Sequence, residues 1–346
     1  MCSTLSTFHL THRLRRLRQC ASLRDLVRET QLNLQDLILP LFIKGERGAK
    51  QPIHSMPGHY QISLEALPQE LDTLTSLGIA SIILFGIPSY KDSLGSSAWQ
   101  SDGIIQKAIR LIRQHTPKLL IISDLCFCEY TDHGHCGILS SPSDVDNDTT
   151  LSYLALQALS HAEAGAHVIA PSGMMDGTIK YLRSYLDGES FAHIPLLSYS
   201  VKYCSSLYGP FRVAAEGAPS YGDRSTHQMD PANGQEALHE AQLDIEEGAD
   251  MLMVKPAHSY LDVIYRIKQA HPYIPLGAYH TSGEFGMLKA AAEKGWLHEK
   301  KAVIEILTSI RRAGADFIIT YYAKEFAIWM QEAGFPILTS KLDKGL

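Results

Sequence analysis

Two lysines close apolar runs, in LLSYSVK (196–202) and in DMLMVKP (250–256). A neutral amine attacks a carbonyl carbon to give a Schiff base, but a lysine in water at pH 7 is an ammonium ion. Burial beside a second cation disfavours that charge and lowers the pKa toward the working range. Lys202 and Lys255 can supply this to each other if the fold brings them together. One such lysine more often caps a strand and pairs with an acid. Two at matching strand ends favour covalent catalysis.

Other residues point to a metal. Three of the six cysteines, Cys126, Cys128 and Cys136, lie in DLCFCEYTDHGHC (124–136). Clustered thiolates suit Zn²⁺ in a reducing compartment better than a disulfide framework, and three ligands leave a fourth position open. The spacing is not the paired CxxC of a structural zinc ribbon, and His133 or His135 offers an alternative to one sulfur. Further on, 203–231 carries Arg212, Arg224 and Gln228. Guanidinium groups on a loop over a site match the two oxygens of a carboxylate, although surface arginines are also common in loops. Tyr279, Ser282 and Tyr321 add hydroxyls near two further strand ends. Taken singly, each tyrosine is more often a packed rim residue.

The elements that must position these groups repeat one theme. Short apolar runs at 37–43, 79–87, 119–126, 167–172, 195–202, 250–256, 274–280 and 316–322 alternate with amphipathic helical stretches. Continuous apolar runs are expected of strands buried on both faces of a parallel sheet. Helices are expected at 235–247 and at 300–313, the latter placing Val303, Ile306, Leu307 and Ile310 on one face. Glycine steps at Gly78, Gly165, Gly248 and Gly314 read as helix stops. Eight βα units predict an α/β fold, a (β/α)8 TIM barrel, with the active site at the C-terminal strand ends. An open doubly wound sheet is the alternative, but neither GxGxxG nor GxxxxGK[ST] is present. The stretch 203–231 is too long for an idle connection and reads as a lid. Residues 1–35, with the basic THRLRRLR, read as an exposed arm preceding a barrel domain over 36–346.

Composition narrows the classes. The chain has 346 residues, a formal net charge of −6, 45% hydrophobic and 20% charged residues. That balance argues against a nucleic-acid-binding surface as the main task, and the apolar runs are too short to span a bilayer. No apolar core follows the basic segment, and Asp25 and Glu29 come soon after, so the expected location is cytoplasmic.

Together, RLRRLR, YTDHGHCG, SYSVKY, YGPFR, GDRSTHQMDPAN, MVKPAHSYLDV and GADFIITYYA resemble the porphobilinogen synthase (5-aminolevulinate dehydratase) family over nearly the whole chain. The resemblance implies condensation of two 5-aminolevulinate molecules to porphobilinogen with loss of two waters, in tetrapyrrole and heme biosynthesis. It implies Schiff bases at Lys255 for the propionate-side substrate and at Lys202 for the acetate-side one. Arg212, Arg224 and Gln228 would bind the acetate-side carboxylate under Phe211. Ser282 and Tyr321 would bind the propionate-side carboxylate, and Tyr208 and Tyr279 would line the pocket. Asp124 corresponds to an aspartate beside the metal. Cys126, Cys128 and Cys136 imply the zinc-dependent branch, and Glu240 corresponds to a glutamate that holds a stimulatory Mg²⁺ in bacterial members. The resemblance also implies a homo-octamer of dimers embracing through the arm. Two places depart from the pattern: QEALHE is less arginine-rich than usual, and Gly173 replaces an aspartate. A class I aldolase-like barrel, with one Schiff-base lysine and no zinc, and an inactive barrel serving as a scaffold are the other readings considered.

Overall fold

The computed structural model describes residues 10–141 and 144–333. Residues 1–9 of the expected arm and 334–346 of the expected barrel domain lie outside the described residues. All eight expected strands form: β1 (Leu37–Lys44), β2 (Ser81–Ile87), β3 (Leu120–Leu125), β4 (Val168–Pro171), β5 (Leu197–Lys202), β6 (Met251–Lys255), β7 (Leu276–His280) and β8 (Phe317–Thr320). They lie side by side in the order β4-β3-β2-β1-β8-β7-β6-β5, every neighbouring pair parallel. One further parallel bridge, Ile169 to Leu196, joins β4 to β5, with the Ile169 amide donating to Pro195 O at 3.1 Å. The expected (β/α)8 ring is therefore closed by its thinnest seam at β4–β5.

Several strands start later than their apolar runs suggest, because the helix stop consumes residues. Gly78, Gly165, Gly248 and Gly314 all have positive φ. The residue after each donates its amide back into the helix: Ile79 to Leu74, Ala166 to His161, Ala249 to Asp244 and Ala315 to Ile310. A helix that ends this way needs an unhindered left-handed residue, which is what glycine provides. The helices Glu236–Glu247 and Glu299–Ala313 form where expected. In the second, Val303, Leu307 and Ile310 are buried, while Ile306 is only partly so.

Between β5 and β6 the expected lid carries two short helical pieces, Ser206–Tyr208 and Gly209–Ala214, and is otherwise irregular. Its ends are tied together at the strand mouth. The Met229 amide donates to Lys202 O at 3.0 Å, and the Cys204 amide to Met229 O at 2.8 Å. Glycines let it lie directly on the cysteine loop. A Cβ on Gly134 would come within 2.1 Å of Ala218 O, and one on Gly217 within 2.9 Å of Cys128 O. The described part of the arm holds the helix Ala21–Leu26 with no buried residue.

Candidate active site

Parallel register fixes the two lysines as neighbours: Lys202 on β5 pairs directly with Lys255 on β6. Their burial is nearly complete, at 4% and 5% exposure. Strict alternation along β5 would not put Lys202 there. Ser198 points to the outer helix layer, where its hydroxyl donates to Asp244 at 2.5 Å. Lys202, an even number of residues on, would share that outward face. The pairing shifts between Leu252 and Val254, so that three steps on β5 (Ser198 to Val201) match two on β6. This bulge turns Lys202 inward and brings Tyr199 onto the same inner side.

Four aromatic rings surround the Lys255 Nζ, with centroids at 4.2 Å (Tyr279), 5.1 Å (Phe211), 5.2 Å (Tyr208) and 5.3 Å (Tyr199). Tyr199 also lies 5.9 Å from the Lys202 Nζ, so one ring touches both amines. Burial, reinforced by the charge of Lys202, lowers the Lys255 pKa to about 7. The Lys202 ammonium donates to Ser172 O at 2.5 Å, and the Ser172 hydroxyl donates to Asp124 Oδ2 at 3.1 Å. Burial, and then the nearby Glu129, raises the Asp124 carboxyl to about 7 against the pull of both lysines. Its Oδ1 is buried without a partner.

The amine environment has a stability consequence. The folded pKa of Lys255 is depressed, whereas the unfolded chain titrates near 10.5. Between those values the unfolded chain carries a proton that the native state lacks, so native stability falls as pH drops through this window. Lys255→Met is therefore expected to melt above the wild type at pH 7. The gain should shrink as pH rises toward 10.5. A melting series across pH checks both, and a variant that melts lower at pH 7 would contradict the burial argument.

The remaining expected residues converge on the same mouth. The Tyr208 hydroxyl donates to Tyr203 O (2.7 Å) and to Lys255 O (3.1 Å), holding the two strand ends together. Ser282 Oγ accepts from the Phe211 amide at 2.9 Å, and the Tyr279 and Tyr321 hydroxyls meet at 3.0 Å. Arg224 is buried, with Nη2 donating to Gly134 O at 3.0 Å and Gly217 O at 2.8 Å. Several polar atoms of the lid are buried without partners: Nε of Arg212 and Arg224 and both amide atoms of Gln228. Buried polar atoms are normally satisfied, so an orphaned set beside two amines is a place for a polar ligand.

The Sγ atoms of Cys126, Cys128 and Cys136 lie within 4.8 Å of one another, all buried, and form the one compact metal-ligating set among the described residues. Cys126 and Cys128 sulfurs are 3.3 Å apart. A tetrahedral zinc with Zn–S bonds of about 2.3 Å places its sulfurs about 3.8 Å apart, so the set fits a metal with small adjustment. Hydrogen bonds from the other two thiols, helped by the Arg224 charge, hold Cys136 well below the usual thiol range. Both imidazoles of the loop are engaged elsewhere: His135 Nε2 with Tyr221 O (3.0 Å), and His133 with Ser93 O (3.2 Å) and the His135 amide (3.1 Å). The three sulfurs are thus the compact set in this loop that could hold a metal. A Cβ on Gly173 would make only ordinary contacts, with Cys136 O at 3.8 Å and Met175 Cε at 3.9 Å, so the backbone does not require glycine there.

Glu240 stands apart. It lies on the helix Glu236–Glu247 and lines a cavity of about 110 Å³ with Asp176, Asp244 and Glu247, on the outer side of β5. Burial and then the charge of Asp176 raise its pKa. It belongs to no compact group of three metal-ligating residues among those described.

A family model for delta-aminolevulinic acid dehydratase matches residues 11–329. The chain belongs to the delta-aminolevulinic acid dehydratase family. Similar relatives include the delta-aminolevulinic acid dehydratase of Halalkalibacterium halodurans, 52% identical over 92% of this chain and 96% of that one. That of Bacillus subtilis is 51% identical over 93% and 98%. A solved delta-aminolevulinic acid dehydratase (porphobilinogen synthase) from Toxoplasma gondii, in complex with the reaction product porphobilinogen, superposes with a TM-score of 0.91 at 42% identity, covering 97% and 96% of the two chains. As a delta-aminolevulinic acid dehydratase, the chain is a lyase that condenses two molecules of 5-aminolevulinate to porphobilinogen with loss of two waters, in tetrapyrrole synthesis. The aldolase-like and scaffold readings give way to this one. The family is metal-dependent, and the cysteine set is where this chain can bind a metal.

Sequence reasoning missed three contributors to the site. Ser172 links Lys202 to Asp124, and Glu129 accepts from the Cys128 thiol at 3.3 Å. Tyr199 is the third. It stands three residues before Lys202, which regular alternation would place on the opposite face, and only the bulge brings the two together.

Proposed function

We propose that the condensation runs through Schiff bases on both lysines, and the observation that carries this is the buried, in-register pairing of Lys202 with Lys255. The neutral Lys255 amine attacks the ketone carbon of the propionate-side 5-aminolevulinate, and Lys202 that of the acetate-side molecule. Each step expels one water. A carbon–carbon bond and the ring carbon–nitrogen bond then replace the two imines, returning both lysines and accounting for the two waters lost. Burial of Lys255, with the charge of Lys202, brings its pKa to about 7, so that a large neutral fraction is available for attack. Asp124, linked through Ser172 to Lys202, is placed to exchange protons with the reacting amines.

Arg212, Arg224 and Gln228 bind the acetate-side carboxylate under Phe211, and their orphaned polar atoms support this assignment. Ser282 and Tyr321 bind the propionate-side carboxylate, with Tyr208 and Tyr279 lining the pocket. Cys126, Cys128 and Cys136 hold Zn²⁺, which when bound supplies an electrophilic position toward the substrate amino group. Glu240, with Asp176 and Glu247 nearby, is the position read for a stimulatory Mg²⁺. The domain reading is an oligomerisation arm over 1–35 and a catalytic barrel over 36–346, in a cytoplasmic homo-octamer. Exposed Leu14, Leu17 and Leu26 on the arm support a contact with another copy.

Borohydride added with 5-aminolevulinate is expected to leave a reduced adduct on Lys255, read by peptide mass. The absence of any modified lysine would overturn the proposal. The charge argument gives a separate expectation. Lys202→Met removes the cation that helps hold the Lys255 pKa down. The pH midpoint for trapping at Lys255 should therefore move upward, and an unchanged midpoint would mean that the two amines are not electrostatically coupled.

A further inference from the structure

We propose, on the reading of Lys255 and Ser282 given above, that Glu284 is a positioning residue that sets the span from the Schiff-base amine to the carboxylate site. It thereby selects a ketone separated from its carboxylate by two methylenes. Pairing between β6 and β7 ends at Val254 and Ala278. Lys255 and Ser282 both lie beyond that point, so the hydrogen bonds between these two strands do not fix their separation. Glu284, buried at 1% exposure, bridges the gap. Its Oε1 accepts from the His258 amide at 2.5 Å and its Oε2 from the Ala257 amide at 3.5 Å, in the turn that follows Lys255. Oε2 also accepts from the Thr281 amide at 2.6 Å and the Thr281 hydroxyl at 2.9 Å, directly before Ser282.

The neighbouring residues extend this bridge to the lid. Ser282 Oγ accepts from the Phe211 amide at 2.9 Å, and a Cβ on Gly283 would come within 2.6 Å of Leu207 O. The lid backbone therefore rests on Ser282 and Gly283, while Glu284 ties the same step of chain to the turn after Lys255. 5-Aminolevulinate carries two methylenes between its carboxylate carbon and its ketone carbon. Held at both ends, such a molecule senses the distance from the amine to the serine hydroxyl. An ionised carboxylate only accepts, which suits partners that all donate. Glutamine at 284 keeps the shape but turns one acceptor into a donor that faces donors, so the two chain segments should part. None of the hydrogen bonds of Glu284 reaches the Lys255 amine, so the reactivity of that amine should be unchanged and only its selection by chain length lost.

The test is borohydride trapping at Lys255 on the full-length protein, read by peptide mass, with three ketones. They are 4-oxopentanoate (the substrate without its amino group), 5-oxohexanoate (one methylene longer) and butanone (no carboxylate). The wild type should be half-trapped by 4-oxopentanoate at a concentration about 10-fold or more below that needed for the other two. Glu284→Gln should raise the 4-oxopentanoate midpoint about 10-fold and leave the other two within about 2-fold of the wild type. A wild type without length preference, equal weakening of all three ketones in Glu284→Gln, or no change in any of them would overturn the proposal. Two other results would instead overturn the reading beneath it: no ketone trapped at Lys255 in the wild type, or an unchanged 4-oxopentanoate midpoint in Ser282→Ala. Thr281→Val keeps the carboxylate and removes one donor to it, and so covers the case in which Glu284→Gln does not fold. It should narrow the length preference about 3-fold, and an unchanged preference there would also overturn the proposal.

Discussion

Lys255→Arg is expected to lose about 10⁴-fold or more in kcat while the barrel stays folded. Arginine keeps the positive charge and much of the length, but it stays protonated throughout the accessible pH range and offers no nucleophilic lone pair. The substitution therefore separates the covalent role of Lys255 from a merely electrostatic one. The surroundings are suited only to a group that can discharge: four rings enclose the amine, and its pKa lies near 7. A permanent guanidinium there stays charged and poorly solvated, so some loss of stability should accompany the loss of turnover. Circular dichroism and melting would establish that the fold persists, and the assay for the pyrrole product would read the rate. Activity within about 10-fold of the wild type would rule out covalent chemistry at this position.

Cys128→Ala carries the second large effect. Its sulfur lies 3.3 Å from that of Cys126, and its backbone lies under Gly217 of the lid, so it is central to both the donor set and the lid contact. Removing one of three thiolates should weaken zinc binding by more than about 100-fold, beyond what loss of an outer-shell partner costs. Activity should fall in step and recover partly with excess zinc. Cys20→Ala is the matched control, since that cysteine is exposed and far along the chain, and it should change neither quantity. Metal content measured beside activity on the same samples checks the link. Undiminished zinc affinity in Cys128→Ala would show that the ligands lie elsewhere.

The barrel was legible in the sequence because its signals are local and redundant. Each strand is an apolar run, and four of the helices before them end in a glycine step that the backbone then uses as a left-handed stop. The paired lysines were legible for a similar reason: both end such runs, and parallel strands align their ends. What could not be read was anything set by register or by contacts distant in sequence. The Ser172 link between β4 and the Lys202–Asp124 pair depends on which strands are neighbours. The docking of Gly217 on Cys128 joins segments from different loops, and no periodicity announces it. Glu240 was read from resemblance alone, and it lies on the outer side of β5 rather than at the mouth.

The one-residue bulge in β5 has an evolutionary consequence. Whether the mouth of such a barrel holds one buried amine or two hinges on the parity of a short strand, since dropping a single codon between Ser198 and Val201 would swing Lys202 out among the helices and leave Lys255 alone. A mouth with two buried amines and a mouth with one can therefore stand a single residue of strand length apart.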